Sequence, residues 1–263
     1  MANFSVVYEM TPEAVRLSVG GYIGFIENNP WIFQFNDFFN GARNMQPADR
    51  MIQLLTVVSG SGWSMNRKGQ CEYIINQIKT KLITNRELEE FWAVVDNLPK
   101  GDDVLRKLGR TVDYSPEERE HLIPFGNQVS GPPNEQDILQ YTPIRNNIRD
   151  SFNTIHTMLM GWHRSAGTLC FITKVILMFN WGQSPAFDTR IRRILNLKND
   201  TDAEKFVLTL SKIGKCINDF ERIEGRPKLD DLATTAMQEI TNNYALKKLP
   251  LGRSFDMMLF ALN

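Results

Sequence analysis

Asp188 is the residue on which chemistry can be built. It stands after a nearly continuous apolar run, Leu169 to Trp181, broken by Thr173, Lys174 and Asn180, and after a short loop carrying Gly182, Ser184 and Pro185. Beyond it Ile191, Ile194 and Leu195 are interleaved with Arg190, Arg192 and Arg193, the pattern of a basic helix with one apolar side. A carboxylate at that boundary accepts hydrogen bonds from the first free N–H groups of the helix and is held rigidly by them. Such a group can serve in acid–base or electrostatic catalysis, and the arginines after it can neutralise phosphates. The plain alternative is a structural cap followed by solvated helix surface.

Other reactive sets are missing from the sequence. No Ser/His/Asp set can be assembled, GxSxG and HExxH do not occur, and His121 and His156 have no partner at metal-ligand spacing. Glu89-Glu90 and Asp102-Asp103 read as helix surface and loop. Cys71, Cys170 and Cys216 are odd in number and far apart, so neither a disulfide framework nor a zinc site is indicated. No cofactor or metal is expected.

The elements that must hold Asp188 are helical. The run 169–181 is too short and too interrupted for a membrane span and reads as a helix buried on most sides, with Ser165 as its cap. Upstream, Ile144, Ile148, Phe152, Ile155, Met158 and Leu159 recur at helical spacing in a helix that Pro143 opens and Gly161 ends. Residues 4–8 read as a short strand or an extended arm, and Thr11-Pro12-Glu13 starts a helix that Gly20-Gly21 interrupts. Helices are expected over 46–58, 69–83 and 84–98, the last behind a Thr84–Glu87 capping box. Ser59-Gly60-Ser61-Gly62 ends the first of these and lacks the Gly-Lys-Ser/Thr ending of a Walker loop. Residues 99–143 turn charged and Pro/Gly-containing, the mark of an irregular connection, with Ser115 able to start one short helix. After Asp188, helices begin at Thr201 or Asp202 and at Asp230. The expected division is an aromatic-rich amino-terminal lobe (1–98), the connection (99–143) and a carboxy-terminal helical lobe (144–263).

Residues 161–195 resemble the catalytic segment of the helix-hairpin-helix DNA glycosylase superfamily, which includes 8-oxoguanine glycosylase-like and bacterial antiphage enzymes. In that family a hairpin leads into a buried helix, a short loop and a V-D-T-H-V-x-R-like sequence. Here Phe187-Asp188-Thr189-Arg190-Ile191-Arg192-Arg193-Ile194 matches at the apolar residue, the Asp, the Thr, the β-branched residue and the following Arg. The family's L-P-G-V-G-x-K-T-A hairpin is replaced by Gly161-Trp162-His163-Arg164-Ser165-Ala166-Gly167-Thr168. The nucleophilic lysine of strand-cleaving members is replaced by Cys170 or Leu169, and Lys174 lies closer to Asp188.

The resemblance implies a mostly α bundle of two helical lobes with a cleft. It also implies a monofunctional enzyme that hydrolyses the N-glycosidic bond of a flipped modified or damaged base, in repair or in phage defence, with Asp188 as the catalytic carboxylate. His163, Arg164, Gly167, Lys174, Arg190 and Arg192 would face the DNA. An extruded base needs an aromatic or apolar sandwich, for which Trp31, Phe35 and Trp63 are candidates, although aromatics serve ordinary cores more often. The alternatives are a noncatalytic helical nucleic-acid-binding or defence-associated protein, and a helical interaction domain unrelated to DNA.

Thirty basic and thirty acidic residues balance to a formal charge of zero. That argues against nonspecific coating of nucleic acid and confines any DNA contact to a local basic patch in one cleft. The amino terminus has no basic segment followed by an apolar run, so no secretory signal is expected, and the cysteine usage fits a reducing cytoplasm.

Overall fold

The computed structural model of the chain describes residues 2–26, 44–60, 65–101, 103–164, 167–180, 182–244 and 248–260. The protein is mostly α: helix accounts for 71%, and the described residues contain no strand. In chain order the helices are α1 (Ser5–Tyr8), α2 (Pro12–Ile26), α3 (Pro47–Gly60), α4 (Met65–Lys79), α5 (Asn85–Asp96) and α6 (Val104–Gly109). Then come α7 (Pro116–Leu122) with a 3-10 turn over Ile123–Gln128, α8 (Glu135–Trp162), α9 (Leu169–Phe179), α10 (Thr189–Ile194), α11 (Ala203–Arg222), α12 (Leu229–Thr241) and α13 (Leu251–Phe260). None of the described helices is long and apolar enough to cross a membrane.

Local chemistry explains most helix starts. Pro12 and Pro47 open α2 and α3, where a missing N–H costs nothing. Thr84 and Ser115 each accept the amide three residues on, while Glu87 and Glu118 reach back to the cap N–H, giving two reciprocal capping boxes. Asn134, Asp188 and Asp202 cap α8, α10 and α11 through their side chains.

Several expectations are corrected by packing. Residues 5–8 form one helical turn rather than a strand, because Val7 and Tyr8 turn inward and the Tyr8 hydroxyl donates to Asp219 of α11 at 2.7 Å. Gly20-Gly21 lies inside α2, whose contacts with α12 and α13 override the helix cost of glycine. Helix α8 starts at Glu135 and carries Pro143 within it, and α9 is preceded by Thr168, while Ser165, the expected cap, lies outside the described residues. The stretch 99–143 holds α6, α7, the 3-10 turn and the first turns of α8. Helix α6 crosses α11 at a glycine pair: a Cβ on Gly109 would fall 2.2 Å from the Gly214 carbonyl carbon.

One cluster of buried hydrophobic side chains runs from Phe4 to Leu259 and draws on both of the expected lobes. A buried polar network ties α1 and the 110–131 segment to α11. Asp219 accepts from the Tyr8 hydroxyl and from Ser130 N–H, and the Tyr114 hydroxyl lies 3.1 Å from that of Tyr8 and 2.9 Å from Cys216 Sγ. Burial pushes both phenols and the thiol far up, so all three are neutral and the network is structural. Cys71, Cys170 and Cys216 are unbridged.

Candidate functional site around Asp188

Helix α8, a short connection, α9, a loop and α10 follow one another into the site. The connection begins where His163 leaves the helix in an extended conformation, its N–H bonded to Leu159 O at 2.9 Å and its ring edge-on to Tyr73 at 5.0 Å. Arg164 is exposed. Gly167 is buried, and a Cβ there would lie 2.3 Å from Met160 Cγ and 2.9 Å from His156 Cδ2. Glycine at this position therefore lets the chain fold back onto α8, a packing reason distinct from an approach to phosphate. Helix α9 buries every residue except Cys170, as its near-continuous apolar sequence requires. Lys174 is consequently only 8% exposed, which places it in the interior rather than on a phosphate-facing surface.

The loop from α9 to α10 is fastened along its length. Asn180 Oδ1 accepts the amides of Gln183 and Ser184 at 3.1 and 3.2 Å, and its Nδ2 donates to Ser184 Oγ at 2.5 Å. Gly182 takes a φ of 74°, which favours glycine. Its carbonyl accepts from Arg253 N of α13. Phe187 N–H donates to Thr173 Oγ1 of α9 at 2.9 Å, and Ala186 N–H to Asp256 Oδ2 of α13 at 3.2 Å. Gly252 lets α13 lie directly on the loop, since a Cβ there would stand 2.4 Å from the Ser184 carbonyl carbon.

Asp188 thus emerges from a pinned loop. Its Oδ1 accepts both the Arg190 and Ile191 amides at 2.9 Å, as the sequence predicts for a cap, while Oδ2 has no donor among the described residues. The side chain is half-buried. Arg190 is exposed, whereas Arg192 is half-buried, reaches Thr189 Oγ1 at 3.5 Å and buries an Nε with no acceptor among the described residues. Trp31, Phe35 and Trp63, the candidate base pocket, lie outside the described residues.

No protein-family model, curated protein or solved structure matches this chain. The site is therefore defined by its own geometry, and that geometry contains two charged residues beyond those the motif indicates. Arg253 and Asp256 of α13 are 8% and 5% exposed. Arg253 NH1 donates to Asp256 Oδ2 at 3.2 Å, and its guanidinium carbon lies 4.9 Å from the centre of the Tyr22 ring of α2. Asp256 Oδ1 and Gln183 Oε1 are buried acceptors without a donor among the described residues. Burial above all, together with the negative charge of Asp188, pushes the Asp256 carboxyl up to about 7, against the opposing effect of Arg253. The only sequence signal for this pair is a basic and an acidic residue set in the otherwise apolar LGRSFDMMLF.

A cavity of about 340 Å³ is lined by Phe4, Phe187, Phe206, Asp200, Lys205 and Lys212 among others; Asp188 does not line it. The described residues contain no cluster of His, Cys, Asp and Glu able to hold a metal ion.

Proposed function

We propose that the chain is a monofunctional DNA N-glycosylase of the helix-hairpin-helix type, with Asp188 as its catalytic carboxylate. In this reading the two helical lobes flank a cleft that receives an extruded modified or damaged base. The observation that carries it is the Asp188 carboxylate itself: one oxygen is consumed in holding the first turn of α10 and the other has no donor among the described residues, at the end of a loop fastened to both α9 and α13. A carboxylate so held loses little on reorganisation when positive charge develops beside it. As the C1′–N bond breaks, its electron pair leaves with the base. The deoxyribose becomes cationic, and Asp188 stabilises it and takes a proton from the water that adds to C1′.

Duplexes carrying a panel of altered bases, each treated with alkali after incubation, test this reading. Excision yields alkali-labile sites, and Asp188→Asn, which keeps a competent helix cap, lowers their formation by about 100-fold or more while duplex binding persists. Strand breakage without alkali contradicts the monofunctional assignment. Binding without excision of any base instead identifies a noncatalytic nucleic-acid-binding protein.

A further inference from the structure

The cavity lined by Phe187 has an interior that the Asp188 chemistry does not use. Its apolar wall is assembled from separate parts of the chain: Phe4 beside α1, Leu169 at the start of α9, Phe187 in the loop and Phe206 on α11. All four are at most 3% exposed, and the Phe187 and Phe206 rings meet edge to face at 5.4 Å. The charged lining groups fall into two sets, because Lys205 and Lys212 stand seven residues apart on α11, about 10 Å along its axis. At one end the Lys212 ammonium donates to Glu118 of α7; both residues are buried, and Lys212 has no other acceptor among the described residues. An ammonium carries three N–H donors, so Lys212 keeps donors for a group inside the cavity. At the other end Lys205 donates to Asp200 at 2.6 Å, while the exposed Lys198 makes no hydrogen bond or ion pair among the described residues. Three lysines against two carboxylates leave the lining with one positive charge in excess.

We propose that this cavity binds a small aromatic carboxylate that carries an oxygen at the far end of its ring. A volume of about 340 Å³ lies at the small end of ligand pockets, roughly 300–1,000 Å³, which suits a single ring with a short side arm. The three phenylalanines face the ring. The carboxylate sits at the open end against Lys198, where the excess positive charge is uncommitted, and Glu118 repels it from the other. There the ring oxygen accepts from the spare donors of Lys212, a hydrogen bond strengthened by the donor's charge. This site goes beyond the proposed function and does not depend on it.

The test is isothermal titration of the full chain with 3-(4-hydroxyphenyl)propionate, beside 3-phenylpropionate, which lacks the ring oxygen, the uncharged 3-(4-hydroxyphenyl)propionamide, and octanoate, which lacks the ring. One saturable site is expected, with the hydroxy acid bound about fivefold tighter than each of the other three, the size of one hydrogen bond or partly exposed ion pair. Lys198→Gln should lower its affinity to that of the amide, whereas Lys79→Gln, at an exposed lysine of α4 outside the lining, should leave it unchanged. Thr209→Trp fills the cavity and should abolish binding; if that variant no longer unfolds cooperatively, Lys198→Gln decides. No saturable binding with a Kd below about 1 mM overturns the site, as does binding that Lys198→Gln and a folded Thr209→Trp both leave unchanged. Equal affinity for the amide overturns the carboxylate contact, equal affinity for 3-phenylpropionate the Lys212 contact, and equal affinity for octanoate the aromatic assignment.

Discussion

A buried carboxyl that keeps its proton leaves a mark on stability as well as on chemistry. Asp256 is raised from 3.8 to about 7 in the folded chain, so the fold binds that proton more tightly than the unfolded chain does. Its contribution is fully present below the unfolded value and is lost as pH rises through the folded one. Asparagine does not titrate. The stability difference between Asp256→Asn and wild type should therefore shift in the variant's favour by about 3 kcal/mol between pH 5 and pH 8, whatever its absolute value at either end. Urea unfolding at the two pH values measures this, and an unchanged difference refutes it. The same residue shows where sequence reading stops. Asp188 is legible because a cap is a local device: its acceptor oxygen serves amides two and three residues on. Asp256 receives its environment from Ala186, 70 residues away, and no spacing rule brings the two together.

At the scale of elements, the site depends on helices pressed against backbone. Gly252→Ala places a Cβ 2.4 Å from the Ser184 carbonyl carbon, which no rotamer can relieve. It should destabilise the chain by about 1–3 kcal/mol and disturb the loop that delivers Asp188, so any excision activity falls along with stability. Gly214→Ala meets the Leu105 carbonyl oxygen at 1.9 Å and should cost as much or more, with no direct effect on the loop. Gly161→Ala, with nothing within 4 Å in the last turn of α8, is the control and should stabilise by up to about 1 kcal/mol. Thermal unfolding of the three variants checks the order. The caps at Thr84, Ser115, Asp188 and Asp202 could be read in advance because they are written in adjacent residues. Continuity of α2 through Gly20-Gly21, and the docking of α13, could not: both follow from surfaces supplied by distant parts of the chain.

On the whole molecule, the contiguous core implies cooperative behaviour. The buried cluster includes Trp92 from α5 and Trp162 from α8, in contact with it through Phe91, so indole fluorescence and helical circular dichroism should report one coincident urea transition. Two resolved transitions would separate the lobes energetically. Function at this scale turns on charge. Under the proposed function, a chain of zero formal charge needs a local set of cations to bind duplex. Arg164, Arg190 and Arg193 are exposed around the α8–α9 connection and α10, whereas Lys174 is interior. Three phosphate contacts give a log–log salt slope of about −3. Replacing Arg190 or Arg193 with Ala should reduce that slope by about 1, and Lys174→Met should leave it unchanged, because a buried ammonium releases no counterion from DNA. A slope that responds to Lys174 but not to the exposed arginines moves the DNA contact elsewhere. Duplex affinity indifferent to salt removes phosphate recognition altogether, and with it the proposed substrate of Asp188.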